Sequence, residues 1–340
     1  MPTPSKLLLI YTGGTIGMRK HPETGALEPI DFNSIKTNFP ALAASEFLFD
    51  MVSMTKVKDS SDICPEDWVA MAKTVQDYYE DYKGFVFLHG TDTMAFSASA
   101  LSFMLNNLSK SVLFTGSQLP LGVPRTDALE NVLTAMEIAS AYENGKAKVP
   151  EVAIYFEYKL YRGNRSSKVD AERFKAYASS NYPPLLEAGV NLNYHKDLIR
   201  KDKGLGFSIN PRLDTALMSL KIFPGIDIKH YAMAIKNPEL HGLVIETYGA
   251  GNLGQKPELI QLLKQAVEAG KIVLNVSQCQ GGAVAHGKYG ASSALAQIGV
   301  LSGGALTFEA AITKLMCVLA LEVSLDEKKR LMQTSLRGEM

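Results

Sequence analysis

Four short segments of the sequence carry hydroxyls, carboxylates and amines in patterns that could do chemistry. Tyr11–Met18 reads YTGGTIGM, in which Gly13 and Gly14 permit a tight turn and leave the hydroxyls of Thr12 and Thr15 beside it. Threonine is a weak nucleophile and needs a base or a proton-accepting partner, so on its own the motif reads equally as a structural glycine turn. Asp59–Asp62 reads DSSD shortly before Pro65. It is either a helix-entry cap or a clamp for a zwitterion, with hydroxyls and amides for a carboxylate and an aspartate for an ammonium group. His89–Ala95 reads HGTDTMA, where Thr91 and Asp92 could cap the next helix or supply a second activatable hydroxyl beside a charged orienter. Arg162–Asp170 reads RGNRSSKVD, ordinarily a solvated basic loop. A Lys168 drawn in beside Asp92 would have its pKa lowered by burial and raised by the carboxylate, and only a net lowering would make it a base near neutral pH.

Other chemistries find less support. The GGxxG spacing at Gly13 is not GxGxxG, and no acidic residue follows at the end of a second strand, so a dinucleotide site is not indicated. The histidines at 21, 89, 195, 230, 241 and 286 show no HxH or HExxH spacing, so neither a metal centre nor a cofactor is expected. Ser117 lies in TGSQLP, which lacks the second glycine of GxSxG. His89 ends an apolar run, where a satisfied core histidine is the commoner role. Lys plus Arg and Asp plus Glu both number 35, a net charge of +0 that disfavours nucleic acid and anionic membrane as partners, while leaving room for a local basic patch. With 46% hydrophobic and 21% charged residues the chain has ordinary globular composition. The opening MPTPSK runs into LLLIY, too short for a membrane span and with no small-residue cleavage site behind it. Cys64, Cys279 and Cys317 lie far apart and form no CxxC pair, which fits a reducing cytoplasm.

The four segments need elements that hold them together. Leu7–Tyr11, Phe85–His89, Val112–Thr115 and Val152–Phe156 are rich in Val, Ile, Leu and Phe and read as buried strands of a parallel sheet. Pro65 opens a helix in which Trp68, Ala72, Val75, Tyr79 and Tyr82 recur at helical spacing up to Gly84, and a second helix follows Thr93. Such βαβ units place ligands at the carboxyl ends of their strands, where the four segments lie. At roughly 150 residues per domain the length suggests about two domains. From Asn191 to Arg212 the periodicity fades into a polar, Lys-rich stretch, expected to connect an N-terminal catalytic domain (1–190) to a smaller α/β domain (213–340). In the latter, Ala216–Ile222, Leu243–Thr247 and Ile272–Val276 read as strands, and Pro257–Ala269 and Glu309–Leu321 as helices.

YTGGTIG, DSSD, LHGTDTMA, TGSQ at Thr115–Gln118 and the Lys168 loop, in this order and along essentially the whole length, resemble the asparaginase/glutaminase family, and most closely its type I, cytoplasmic branch. The resemblance implies a two-domain α/β fold: an N-terminal mixed or parallel sheet with flanking helices, and a smaller flavodoxin-like C-terminal domain. It implies hydrolysis of L-asparagine to L-aspartate and ammonia, without a cofactor, through an acyl ester on Thr15. Thr91, Asp92 and Lys168 match the family's second catalytic group. Asp59, Ser60 and Ser61 match the substrate clamp, with Asp92 also facing the substrate ammonium, and Ser117 lies where the amide end is bound through the backbone.

Two departures stand out. Many members carry a tyrosine on the loop after the nucleophile, whereas Met18–Glu28 here reads MRKHPETGALE. Family sites are completed across a dimer interface, so Tyr289 in GKYGASS and Asn252 in YGAGN are candidates to reach in from a second copy of a homodimer or homotetramer; for Asn252 a loop-stabilising role is equally plain. Some type I enzymes also bind asparagine at an activating site built around an arginine and a [ST]QC segment. Here Ser277, Gln278 and Cys279 are present while Glu246 occupies the arginine position, and a glutamate repels the carboxylate that arginine would hold. The alternatives are a glutamine-preferring amidohydrolase and a non-catalytic amino-acid sensor, which would keep DSSD and dispense with Thr15, Thr91 and Lys168. A tRNA-dependent amidotransferase subunit of the same family is expected to carry an extra N-terminal domain, and other forms carry ankyrin arrays.

Overall fold

A computed structural model of the chain describes residues 6–20, 27–29, 45–121, 123–285 and 290–340. The four apolar runs, joined by the unforeseen and less buried Phe49–Lys58, become neighbouring parallel strands: β1 (Leu7–Gly13), β2 (Phe49–Lys58), β3 (Gly84–Leu88), β4 (Val112–Thr115) and β5 (Val152–Phe156). They pair in the order β5-β4-β3-β1-β2. Strands β3, β4 and β5 are buried along their whole length, which explains why they read as continuous apolar runs and not as alternating ones. Leu7, Leu9, Tyr11, Val86, Leu88, Leu113 and Tyr155 join one core cluster with Val132, Ala135 and Met136 of a helix, α3 (Ala128–Ser140). Helices α1 (Pro65–Asp77) and α2 (Met94–Met104) pack against each other, and α2 also lies on β4 and β5. Helix α1 begins as expected at Pro65, with the Asp67 carboxylate accepting the Cys64 N–H at 2.8 Å, but ends at Asp77. Tyr79 and Tyr82, expected inside it, lie beyond its end, where Tyr79 stacks on Phe207 at 3.7 Å between centroids. The apolar spacing continues past the helix because the Tyr79 ring is still buried, while Tyr82 is half-buried with its hydroxyl on Asp50.

After β5 a two-residue turn at Glu157 and Tyr158, both with positive φ, reverses the chain, as a type I′ hairpin requires. The sheet continues antiparallel through β6 (Lys159–Arg162), β7 (Leu186–Ala188) and β8 (Leu192–Tyr194), giving eight strands. The 191–212 stretch therefore differs from the expected free connection. Its start is the edge strand β8, Ser208–Ile209 pairs with Leu105–Asn106, and the division between compact units falls between Pro211 and Arg212. An edge strand with one neighbour needs no continuous apolar run, so its polar sequence reads as a connection.

The second unit, Arg212–Met340, has its own parallel sheet, β9 (Leu217–Lys221), β10 (Gly242–Thr247), β11 (Ile272–Ser277) and β12 (Leu301–Ser302), paired in that order. Its helices are α4 (Lys229–Lys236), α5 (Pro257–Glu268), α6 (Gly290–Gln297), α7 (Phe308–Leu319) and α8 (Leu325–Met332). Lys314 of α7 and Glu339 form a fully buried ion pair at 2.6 Å; the lysine also bonds to the Thr334 carbonyl, and the Glu339 carboxylate accepts the Leu336 and Arg337 N–H groups. Among the described residues no helix is long and apolar enough to cross a membrane.

Candidate active site

Because β1 to β4 run parallel, the loops after them leave the same edge of the sheet. The turn after β1 is one residue from Thr15, which opens a short 3-10 turn. Gly14 has φ +84, and a Cβ on it would lie 2.3 Å from the Cα and 2.4 Å from the N of Gly90. Gly90 in turn leaves no room for a side chain beside the Ser60 hydroxyl, and Gly116 none beside the His89 carbonyl. Three glycines thus let four loops close on one another, bringing the residue before Thr15 against the residue before Thr91.

Hydrogen bonds fasten these loops. Ser60 is buried; its hydroxyl accepts the Asp92 N–H at 3.2 Å and its carbonyl accepts the Thr93 hydroxyl at 2.5 Å. Asp59 Oδ1 accepts both the N–H and the hydroxyl of Ser61, at 2.9 and 2.7 Å, and these bonds hold its carboxyl below the usual range. His89 is fully buried between the Gly90 carbonyl, 2.7 Å from Nδ1, and the Ser97 hydroxyl, 2.9 Å from Nε2, while Ser97 accepts the Trp68 indole N–H at 3.0 Å. Burial pushes its pKa down to about 4, so it is a neutral strut for the Gly90 turn. Thr12 is also structural: its buried hydroxyl donates to the Leu88 carbonyl at 3.1 Å.

Lys168 meets Thr91 and Asp92, its Nζ donating to Thr91 Oγ1 at 2.8 Å and to Asp92 Oδ1 at 2.7 Å. Lys168 is 17% exposed and Asp92 63%, so the ammonium is largely covered while the carboxylate meets solvent. Thr91 Oγ1 passes its own proton toward Gln118 Oε1 at 3.3 Å. Ser117, after β4, is buried and its hydroxyl donates to the Leu119 carbonyl at 2.6 Å. Thr15, Asp59, Ser60, Ser61, Thr91, Asp92, Ser117 and Lys168 all belong to the first unit.

Several supporting residues escaped sequence reasoning. Ser167–Lys168 pairs antiparallel with Tyr177–Ala178, and the Tyr177 hydroxyl donates to the Thr91 carbonyl, so one residue ties Lys168 through its backbone and Thr91 through its side chain. Gln118 Nε2 donates to the carbonyls of Ala171 and Arg173, tying the loop after β4 to the segment following Lys168. The Asp127 carboxylate accepts the N–H groups of Gln118 and Leu119, and Asn131 one turn later donates to the Gly116 carbonyl. Two polar residues four apart at the start of an otherwise apolar helix face were the available signal.

The remaining candidates lie in the second unit or outside the described residues. Asn252 Oδ1 accepts the Gly254 N–H at 2.8 Å within its own loop, which is bridged by Tyr248. Ser277 donates to the Gly249 carbonyl, Gln278 Nε2 to the carbonyls of Ile222 and Glu246, and the Cys279 N–H to the Ser277 hydroxyl. Burial raises the Glu246 carboxyl above its ordinary range. Tyr289 falls outside the described residues. Among the described residues no cluster of His, Cys, Asp and Glu could hold a metal ion.

Comparisons with known proteins bear on this arrangement. Residues 6–200 match the N-terminal asparaginase family model, and residues 217–332 that of the glutaminase/asparaginase C-terminal domain. L-asparaginase 1 of Escherichia coli K12 is 38% identical, with 98% of this chain and 97% of that protein covered. The human 60 kDa lysophospholipase is 39% identical over 98% of this chain, which spans only 61% of that relative. The crystal structure of L-asparaginase I from Vibrio cholerae superposes with a TM-score of 0.89 at 39% identity, covering 99% of both chains. With both halves of the sequence matched, and its sheet-edge loops built as described, the chain belongs to the asparaginase/glutaminase family.

Proposed function

We propose that the protein hydrolyses L-asparagine to L-aspartate and ammonia through an acyl ester on Thr15. The observation that carries this reading is the Lys168 ammonium bonded to both Thr91 Oγ1 and Asp92, at the sheet edge where Gly14 and Gly90 touch. The Thr15 hydroxyl attacks the side-chain amide carbon. The C–N bond breaks, the amide nitrogen takes the hydroxyl proton and leaves as ammonia. Water then attacks the ester carbon, returning its proton to Thr15 as aspartate departs. Thr91, held by Lys168, orients the attacking oxygen; the Ser117 N–H, its neighbours Gln118 and Leu119 being held by Asp127, is offered to the developing oxyanion. The substrate carboxylate is held by the Ser60–Ser61 loop, and its ammonium by Asp59 and Asp92. A small zwitterion needs such opposed contacts and no excess charge.

The reading extends to a homodimer or homotetramer in which Asn252 and Tyr289 of a second copy complete the site, and to a cytoplasmic setting, which the free thiols of Cys64, Cys279 and Cys317 suit. Glu246 argues against an activating second asparagine, so velocity should rise hyperbolically with substrate. The test is ammonia release from asparagine and glutamine by wild type, Thr15→Ala and Lys168→Met. Thr15→Ala should lose at least about a thousand-fold in kcat, and Lys168→Met about a hundred- to ten-thousand-fold. Equal release by wild type and Thr15→Ala would sink the assignment. One methylene separates the two substrates, about 1–3 kcal/mol of discrimination, and asparagine is expected to win.

A further inference from the structure

The Lys-rich stretch around residues 196–203 has no part in the chemistry above, yet it is one wall of a groove. The other wall is the hairpin formed by Tyr142–Glu143 and Lys146–Ala147. The groove has a volume of about 480 Å³ and lies wholly in the first unit. Five cationic residues line it, Lys146, Lys148, Lys196, Arg200 and Lys201, against two acidic ones, Glu143 and Asp202. That surplus is local, in a chain with net charge +0.

The side chains are not equally committed. Lys196 is held by both oxygens of Glu143 at 2.9 Å, so that pair is internally neutral. Lys148 lies over the Tyr194 ring, 4.8 Å from its centroid, and Lys146 and Lys201 are exposed with no ion-pair partner among the described residues. The lining also has an apolar part, Ala147, Pro150, Ile199 and the Tyr194 ring. A concave site of this size suits a small molecule, and small-molecule sites combine an apolar lining with a few placed polar groups.

We infer that this groove binds a nucleoside polyphosphate, with the phosphates among Lys146, Lys148 and Lys201 and the flat, less polar nucleoside against the apolar lining. The inference is independent of the amidohydrolase reading.

The experiment is calorimetric titration of the full chain with ATP and, separately, with inorganic tripolyphosphate and a structured RNA. The expected result is one ATP per chain with Kd below about 1 mM, weakened several-fold when salt is raised from about 50 to 200 mM. The double variant Lys146→Ala/Lys201→Ala should bind ATP at least ten-fold more weakly at an unchanged melting temperature. Should that variant lose stability, Lys148→Gln alone should weaken ATP binding about three-fold. No saturable ATP binding by wild type, equal binding by the variants, or displacement of ATP by saturating aspartate would overturn the inference. RNA binding without ATP binding would overturn it too, and tripolyphosphate binding as tightly as ATP would overturn the nucleoside part.

Discussion

Replacing Gly14 with alanine tests whether the approach of two loops, and not the mere presence of their threonines, makes the site. The added Cβ would lie 2.3 Å from the Gly90 Cα and 2.4 Å from its N. Both are backbone atoms, so no side chain can swing aside. Ordinary contact begins near 3.4 Å, and the two turns must separate by about 1 Å. A misplacement of about 1 Å at a reacting group costs on the order of a hundred-fold in rate, or about 2.7 kcal/mol. At φ +84 and ψ 174 Gly14 occupies a backbone region essentially reserved for glycine, so alanine adds about 1–3 kcal/mol of backbone strain, which lowers stability. Gly270→Ala supplies the control: its φ is +85, but nothing lies within 4 Å of an added Cβ. It should lose about 1 kcal/mol of stability and keep full activity. The assay is continuous ammonia release, giving kcat and KM, with thermal unfolding of each variant alongside. A folded Gly14→Ala protein turning over within three-fold of wild type would refute the reasoning, because the close approach would then be incidental.

Other outcomes follow from buried ionisable groups. His89 has its pKa depressed from 6.5 to about 4, so the unfolded chain takes up a proton that the fold refuses; stability is full above about pH 6.5 and should fall by about 3 kcal/mol down to pH 4, as measured by urea unfolding across that range. His89→Gln should remove most of that slope while other carboxylates leave a remainder. Glu339→Ala, which strands the Lys314 ammonium in the interior, should cost about 3–5 kcal/mol in chemical denaturation, and Lys314→Met/Glu339→Leu should recover most of it.

In the parallel half of the first sheet, β1, β3, β4 and β5 were legible because they are buried on both faces and so are written in apolar residues, whereas β2, half exposed along its length, was not read. The turn glycines and hydroxyls at its carboxyl edge were legible for a different reason: residue types such as Gly-Gly-x-x-Gly or Thr-Asp have few uses in such a place. The antiparallel half was not. Strands β7 and β8 span three residues each, too short for alternation to register, and β8 carries polar Asn193 and half-buried Tyr194 at the sheet's edge. The contact of Lys168 with Thr91 spans 77 positions, and only the family resemblance brought the two together. The Tyr177 bond to the Thr91 carbonyl depends on the register of a two-residue ladder, which no local pattern encodes. Gly14 was read as a turn former and Gly90 was given no role, whereas together they let two backbones touch.

The chain has one tryptophan, Trp68, and its indole N–H donates to Ser97, which bonds His89, which bonds the carbonyl of Gly90. The sole indole fluorophore is thus built into the strut that sets the turn before Thr91. Selectively excited emission from the native protein reports the electrostatics and rigidity of that turn, without a label and without background from any other indole. Ligand arrival at the sheet edge, slow loop rearrangement and loss of the strut in acid all become optical signals of one reporter.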